Sequence, residues 1–190
     1  MSVKQEAEQS PDPQLLEQAV DQQGTSLAEL SRRSPVLVVF LRHAGCTFCR
    51  QALADLQSRR EKIAAHGTGI VLVHMDTEAN AAKLFASYGL DDVPRIADPE
   101  QKLYAAFDLA RGSAWQVMGP ANWWRGLWAT LGNGFGVPVG DVFQMPGAFL
   151  VHNGKVLRAF RHEASADRPD YVELASWVVL QFAQTAKRAI

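Results

Sequence analysis

The chain has 190 residues, of which 47% are hydrophobic and 21% are charged, a composition typical of one globular domain. Its 19 Lys and Arg residues nearly balance 20 Asp and Glu residues, so the net charge is -1. No field of one sign is therefore present to hold a polyanion, which argues against nucleic acid and anionic membranes as partners. The longest aliphatic and aromatic run, 36–41, is far shorter than the roughly 18 residues of a membrane-spanning helix.

The amino-terminal residues 1–12 are polar and predict a flexible tail ahead of a single domain at 13–190. They contain no apolar core of the kind that a secretory signal needs, so we expect a cytoplasmic protein. Apolar residues at helical spacing predict a helix over 15–20, and a short helical turn at 27–30 follows the glycine-containing break at 24–26.

Strand and helix patterns alternate through the middle of the chain. The predicted strands are 36–41, which is short and rich in β-branched residues, the buried run 70–75, and a short strand and turn at 95–99. The predicted helices, which carry apolar residues on one face, are 49–63, 78–88 and 102–110. Gly89 stands where it can cap the second of these helices at its carboxyl end.

The carboxyl-terminal part predicts a hairpin followed by a helix. Two apolar runs, 147–152 and 155–161, flank Asn153-Gly154, the strongest short signal for a β-hairpin. An amphipathic pattern over 171–182 predicts a closing helix. Parallel strands joined by helices need a sheet that is covered on both faces, and the hairpin adds antiparallel strands to it. The sequence therefore predicts an α/β fold: a three-layer α/β/α domain with a central mixed sheet.

The two cysteines, Cys46 and Cys49, form the sequence C-T-F-C. A disulfide framework needs more cysteines and an oxidising compartment, and a closed zinc site needs four ligands. The five histidines show no paired ligand spacing, so we expect no metal. A C-x-x-C pair next to a strand–helix–strand pattern is typical of thiol–disulfide redox chemistry.

The pair lies where the first long strand meets a helix, and this position favours reactive sulfur. Unpaired N–H groups and the helix dipole at a helix start stabilise a thiolate, the nucleophile of disulfide exchange. Cys46 at the helix start would be exposed, and Cys49 one turn further would lie within reach to close a disulfide. Arg42 and Arg50 add positive charge, and His43 is a candidate for tuning the thiolate or transferring a proton. Alternatively, Cys49 is one apolar contact on the buried helix face and His43 is merely solvated.

A second candidate feature, Met145-Pro146, stands directly before the first strand of the hairpin. One interpretation is that the proline is tolerated there, because a strand start needs no donor for the ladder. The other is a cis Met145–Pro146 bond that points the Met145 backbone at the sulfurs, where it would pair with a substrate chain.

Four segments carry a resemblance to a known family: VLVVFLRHAGCTFCR at 36–50, RIADPEQKLYAAFDL at 95–109, GDVFQMPGAFLV at 140–151 and FRHEASADRPD at 160–170. Through them the chain resembles thioredoxin-fold proteins, and among these the peroxiredoxin-like AhpC/TSA group that includes prostamide/prostaglandin F synthase-like proteins. The resemblance implies a thioredoxin-like fold and a thiol-dependent oxidoreductase without metal or organic cofactor. It also implies a peroxide or disulfide substrate and an external reductant, the thioredoxin or glutathione system.

The same resemblance implies roles for individual residues. Cys46 would attack, Cys49 would resolve and Pro146 would be the cis-proline, while Thr47 and Arg50 belong to the cysteine motif as candidates for binding substrate or tuning the sulfurs.

The chain also departs from the pattern of peroxiredoxins proper. Those proteins place a proline four residues before a threonine that precedes the peroxidatic cysteine by three. Here these positions hold Arg42 and Cys46, which would make Cys49 the peroxidatic residue. Which cysteine is peroxidatic therefore stays open.

A tryptophan-rich insertion at about 112–138 interrupts the pattern and contains Trp115, Trp123, Trp124 and Trp128. It is interpreted either as an extra helix packed over the sheet edge or as a lid beside Cys46 that holds an apolar substrate or partner. A membrane-surface helix is disfavoured because only Arg125 is basic there. Exposed tryptophans are compatible with a homodimer. The alternative function is a non-catalytic redox sensor or partner-binding protein.

Overall fold

A computed structural model describes residues 10–42, 47–109, 144–162 and 169–176. The helices are α1 Pro13–Gln18, α2 Leu27–Arg33, α3 Thr47–Ala65, α4 Glu78–Ala86, α5 Lys102–Ala106 and α6 Tyr171–Ala175. The strands are β1 Val36–Phe40, β2 Gly69–His74, β3 Arg95–Ala97, β4 Gly147–His152 and β5 Lys155–Arg161. Each of these elements corresponds to one that the sequence pattern predicts.

The five strands form one mixed sheet in the order β3-β2-β1-β4-β5. The central strand β1 runs parallel to β2 and antiparallel to β4. The connections between the parallel strands contain α3 and α4, as parallel pairing requires a long crossover. The predicted mixed sheet is therefore confirmed, and it places the carboxyl ends of β1 and β2 side by side.

Both faces of the sheet are covered, because every side chain of β1 is buried. Alternate residues of a strand point to opposite faces. Val38 and Phe40 join one core cluster with residues of α1, α2 and α5, whereas Leu37 and Val39 join a second cluster with residues of α3, α4 and α6. This confirms the predicted three-layer α/β/α arrangement.

Several element ends differ from the prediction because the local backbone conformation sets them. The predicted turn at 27–30 is a helix that begins at Leu27, where the Ser26 hydroxyl accepts from the Glu29 N–H at 3.1 Å, and continues to Arg33. It ends where Ser34, the residue before Pro35, is extended. Helix α5 stops at Ala106 rather than at residue 110, since Asp108 adopts φ 52°. Gly89 follows α4 with φ 66°, as its capping position predicts.

The hairpin turn has the left-handed backbone that its Asn-Gly sequence predicts. Asn153 has φ 51° and Gly154 has φ 72°, the signs of a type I′ turn. The turn is attached to α2, because the Asn153 N–H donates to the Ser31 carbonyl at 2.9 Å and the Gly154 N–H donates to the Ser31 hydroxyl at 3.1 Å.

Three predictions fall partly or wholly outside the described residues: the flexible tail over residues 1–9, the tryptophan-rich insertion and the closing helix beyond residue 176. Within the part of the chain that the structure describes, no helix is long and apolar enough to cross a membrane.

Candidate active site

The candidate site lies at the carboxyl end of β1, where the chain passes through Leu41 and Arg42 toward α3. Helix α3 begins at Thr47, the residue after Cys46. The predicted site residues Cys46 and His43 lie outside the described residues, as does the side chain of Thr47. Cys49 lies in the first turn of α3, as the sequence predicts.

The Cys49 side chain is buried, with 4% of its surface exposed, and its sulfur has a defined partner. Its Sγ accepts a hydrogen bond from the Arg42 backbone N–H at 3.3 Å. A donor aimed at the sulfur favours the thiolate, and so does the start of a helix. Cys49 also packs in the core cluster on the α3 side of the sheet. The apolar-contact interpretation is thus correct for its carbon atoms, whereas its sulfur is hydrogen-bonded at the loop.

The two arginines of the motif differ in their exposure. Arg42 is 4% exposed, whereas Arg50 is half-buried on α3. Because Arg42 directly follows the strand, its backbone N–H lies where the Cys49 sulfur can reach it. The sequence analysis considered only the charge of Arg42 and missed this backbone donor, which no residue pattern reveals.

Tyr104, on α5, holds the start of the cysteine loop from the other side of the sheet. Its hydroxyl donates to the Leu41 carbonyl and lies 3.3 Å from the Val73 carbonyl oxygen. Burial, and then the negative charges of Cys49 and Asp98, raise the pKa of Tyr104 well above its ordinary value. The hydroxyl therefore stays protonated and remains a donor. From the sequence, Tyr104 is only one residue of a predicted helix.

Met145 and Pro146 lie at the same end of the sheet as Cys49. Gly147 pairs with Phe40, the last residue of β1, so Pro146 lies across from the start of the cysteine loop. The described residues contain no cis peptide bond, so the prediction of a cis Met145–Pro146 bond is wrong. The bond is trans, the form that is preferred even before proline. The Pro146 carbonyl oxygen accepts from the His162 backbone N–H at 3.4 Å and lies 3.0 Å from His162 Nδ1.

Two further polar residues, His74 and Asp76, lie at the end of the neighbouring strand β2. They are 3% and 5% exposed, and both line a small cavity together with Cys49. Burial lowers the pKa of His74, although the negative charge of Glu78 opposes this effect. The sequence analysis missed the pair, and the available signal was a histidine and an aspartate closing an otherwise apolar strand. In the described ranges, no group of three or more His, Cys, Asp or Glu residues is arranged to hold a metal ion.

Comparison with known proteins places the chain in a family. The model of the AhpC/TSA antioxidant enzyme family matches residues 55–164, more than half of the chain. The chain belongs to the AhpC/TSA family. The matched region of this AhpC/TSA protein begins at Asp55, after both cysteines. The match therefore identifies the domain and does not include the cysteine motif.

Curated relatives of this AhpC/TSA protein extend over most of its length. The chain is 28% identical to a prostamide/prostaglandin F synthase from Salmo salar over 156 residues, covering 78% of this chain and 76% of the relative. A protein of the same name from Danio rerio is 28% identical over 155 residues, with the same coverage of each chain.

Solved structures confirm the thioredoxin-like fold. The bacterioferritin comigratory protein of Xanthomonas campestris, studied for its alkyl peroxide reduction activity, has a TM-score of 0.61 at 16% identity, covering 95% of this chain and 99% of its own. A proposed thiol:disulfide interchange protein, DsbE from Chlorobium tepidum, has a TM-score of 0.55 at 20% identity, covering 95% and 98%. At these identities the likeness establishes the fold, and the family match supports thiol-dependent oxidoreductase activity in general.

Proposed function

We propose that this AhpC/TSA protein is a thiol-dependent peroxide or disulfide reductase that uses Cys46 and Cys49 as its redox pair. The observation that carries the proposal is the hydrogen bond from the Arg42 backbone N–H to the Cys49 sulfur in the first turn of α3. A buried sulfur that accepts an N–H at a helix start is stabilised as the thiolate that disulfide chemistry needs. Residue 46 stands three residues earlier, at the spacing that closes a short disulfide loop.

The burial of Cys49 supports a division of labour between the sulfurs. With 4% of its surface exposed, Cys49 is shielded from a substrate that arrives from solvent. The first attack therefore falls to Cys46, and Cys49 acts afterwards on the oxidised Cys46 sulfur. This order matches the assignment that the family resemblance implies and disfavours Cys49 as the peroxidatic residue.

The reaction proceeds in three balanced steps. The Cys46 thiolate attacks the O–O bond of a peroxide, is oxidised to the sulfenic acid and, with one proton, releases an alcohol or water. The Cys49 thiolate then attacks the Cys46 sulfur, a Cys46–Cys49 disulfide forms, and the sulfenic oxygen leaves as water after taking up one proton. An external dithiol, supplied by a thioredoxin or glutathione system in a reducing cytoplasm, reduces this disulfide and is itself oxidised. With a disulfide substrate, the first step forms a mixed disulfide and releases a thiol.

Other residues of the motif have supporting roles in this proposal. His43 and Arg50 tune the charge near the sulfurs, and Thr47 contributes a hydroxyl at the start of α3. Met145 and Pro146, both buried across from the cysteine loop, position that loop in this proposal and thereby tune the site. Peroxide is the favoured oxidant because the family is described as antioxidant enzymes and because a fold neighbour is studied for alkyl peroxide reduction.

The test compares the wild type with Cys46→Ser and Cys49→Ser. Each is assayed with hydrogen peroxide, a lipid hydroperoxide and insulin disulfide, with a thioredoxin system as reductant. We expect Cys46→Ser to lose turnover by at least about a hundredfold, because the nucleophile is gone. Cys49→Ser keeps the first step and accumulates a sulfenic acid or mixed disulfide on Cys46, which mass spectrometry detects after trapping with dimedone.

Two outcomes would overturn the proposal. If Cys46→Ser still consumes peroxide while Cys49→Ser does not, Cys49 is the attacking residue. If the wild type turns over none of the three substrates yet binds a partner in a way that changes on oxidation, the chain is a redox sensor rather than an enzyme.

A further inference from the structure

The cavity beside Cys49 brings a sulfur together with two buried polar side chains. It lies between the carboxyl end of the sheet and α4, and Cys49, His74, Asp76 and Ala81 are among its lining residues. Its volume is about 10 Å³, enough for about one water molecule. The three polar or reactive side chains are each at least nine-tenths buried.

The hydrogen bonds of His74 determine which nitrogen can accept a proton. Nδ1 lies 3.1 Å from the Asp76 carbonyl oxygen, which can only accept, so Nδ1 carries the hydrogen. In the neutral ring, Nε2 is then an acceptor, and it is buried without a hydrogen-bond partner among the residues that the structure describes. Glu78 Oε2 lies 3.8 Å from Nε2, which is beyond hydrogen-bond distance.

Asp76 offers a second buried acceptor. Its Oδ1 accepts from the Thr77 N–H at 2.7 Å and from Asn80 Nδ2 at 3.0 Å, which fixes the side chain at the start of α4. Its Oδ2 is buried and has no hydrogen-bond partner within the described part of the chain. A donor between these two buried acceptors would be favourable, because a buried polar atom without a hydrogen bond is destabilising.

We propose that this cavity binds one water molecule, which donates to His74 Nε2 and Asp76 Oδ2 and carries the proton of the Cys49 thiol to and from His74. A buried water typically makes two to four hydrogen bonds, and these two acceptors with the thiol supply three. The water site makes His74 the general base of the second half-reaction. This role rests on the proposed function, in which Cys49 must ionise before it attacks.

The proton transfer is balanced and involves no oxidant. The water accepts the Cys49 S–H proton and gives one of its own protons to Nε2, which yields a Cys49 thiolate and a His74 imidazolium. The transfer reverses when the disulfide is reduced. Burial keeps His74 neutral beforehand, since it lowers the pKa of the ring.

The charged groups that face His74 act in opposite directions. Glu78 and Asp76 stabilise the imidazolium, whereas Arg95 opposes it. Arg95 Nη2 also lies 2.7 Å from Glu78 Oε1, so this arginine offsets part of the charge of Glu78. Tyr104, near Cys49, stays neutral over the pH range of the transfer because its pKa is raised.

The test measures the ionisation of Cys49 without any substrate. In full-length Cys46→Ser, Cys49 is the single cysteine, and its ¹³Cβ chemical shift reports the thiol–thiolate equilibrium between about pH 5 and 10. We expect a second substitution, His74→Gln, to raise the pKa of Cys49 by about one unit, since the thiolate loses its proton acceptor and its imidazolium partner. The matched control is His152→Gln, because His152 binds the Ser31 carbonyl at the far end of β4 and should leave the titration unchanged.

A third variant distinguishes the effect of the water from the effect of the histidine. Ala81→Val adds two methyl groups to the cavity wall and leaves His74, Asp76 and Cys49 in place. It should raise the pKa of Cys49 in the same direction, and it keeps the test decisive if His74→Gln does not fold. A crystal structure of the wild type should show a water within about 3.2 Å of Nε2 and Oδ2.

Unchanged titrations in both His74→Gln and Ala81→Val would overturn the inference. If the pKa of Cys49 shifts in His74→Gln but not in Ala81→Val, the bridging water is excluded and His74 contacts the thiol directly. The titration needs no turnover, so a wild type that fails with every peroxide and disulfide would refute the proposed function and still leave this measurement interpretable.

Discussion

At the scale of single residues, Tyr104 links the core to the cysteine loop. Its ring packs edge-on against Phe40 with the centroids 5.0 Å apart, and its hydroxyl donates to the Leu41 carbonyl. The Leu41 N–H in turn donates to the Val73 carbonyl at 2.9 Å. Residue 41 is thereby fixed on both its amide and its carbonyl, and the next N–H, that of Arg42, points at the Cys49 sulfur.

Tyr104→Phe should lower the free energy of unfolding by about 1–3 kcal/mol, because the buried Leu41 carbonyl loses its donor. Urea denaturation measures the change. Tyr88→Phe, on the half-buried Tyr88, is the matched control and should change the stability by less than about 0.5 kcal/mol. An equal loss in both variants would show that the Tyr104 hydroxyl has no special role.

The substitution Tyr104→Phe should also change how the stability depends on pH in alkaline solution. Because the fold raises the pKa of Tyr104 above its ordinary value of 10.0, the unfolded chain releases this proton first as the pH increases. The wild type therefore loses stability as the pH rises above about 10, and Tyr104→Phe lacks this component of the loss.

The sequence predicts the cysteines and misses their neighbours, for a physical reason. Cys49 is identified by the C-x-x-C spacing, which is local along the chain. Tyr104, His74 and Asp76 contribute through contacts that exist only once α5 and β2 are placed against β1. Such contacts depend on strand order and register, and neither can be predicted from the local residue pattern.

At the scale of elements, the start of β4 requires glycine at residue 147 because a larger side chain would clash with its neighbours. A Cβ at Gly147 would lie 2.6 Å from Leu109 Cδ2 and 3.0 Å from Phe149 Cε2. The backbone angles at Gly147 are not in the left-handed region, so the constraint is steric. Leu109 thereby packs directly on the strand that follows Pro146.

Gly147→Ala should destabilise the fold by about 1–3 kcal/mol, because the added methyl overpacks the contact with Leu109. Combining it with Leu109→Ala should cost less than the sum of the single changes, since the truncation makes room. Thermal unfolding of the four proteins of this cycle measures the coupling.

The control for the glycine experiment is Gly69→Ala at the start of β2. A Cβ there would meet only Val36 Cγ1, at an ordinary distance of 3.6 Å. This variant should leave the stability nearly unchanged. Equal losses at both glycines would contradict the steric argument.

Elements are predicted well where their signals are local. The Asn153-Gly154 turn follows from its two residues alone, and the strands of the hairpin end where the sequence predicts. The carboxyl ends of α2 and α5 are missed, because the extended backbone at Ser34 and the left-handed backbone at Asp108 set them. The cis interpretation of Met145–Pro146 is wrong, because the bond in this chain is trans and no local residue pattern distinguishes the two forms.

At the scale of the whole molecule, the sheet separates two cores. Leu27 lies in the cluster with α1, α2 and α5, and Leu53 lies in the cluster with α3, α4 and α6. Both side chains are fully buried. The two leucines lie in separate clusters on opposite faces of the sheet, so they share no contact. Each core can therefore be weakened without changing the packing of the other.

Leu27→Ala and Leu53→Ala should each lower the free energy of unfolding by about 2–5 kcal/mol. Their effects should add to within about 0.5 kcal/mol, because the substituted sites lie on opposite faces of the sheet. Urea denaturation of the single and double variants measures both quantities. A larger coupling energy would contradict the independence of the two cores.

The fold class follows from the order of strand and helix patterns, and the family match together with the solved structures confirms it. The strand order is less accessible to sequence reasoning, because β1 takes β2 on one side and the distant β4 on the other. The strand order places Met145 and Cys49 at the same end of the sheet, where the interpretation of Met145-Pro146 as part of the site predicts them to lie.

The pairing of Val36 with Val151 has a consequence for synthesis on the ribosome. One flank of β1 stays open until the hairpin has been translated, because its partner strand comes late in the chain. At about 5–20 residues per second, the roughly 110 intervening residues take on the order of 5–20 s to emerge. During that interval the nascent chain presents an apolar strand with unpaired backbone groups, the form that holdase chaperones recognise and that aggregates when they are scarce.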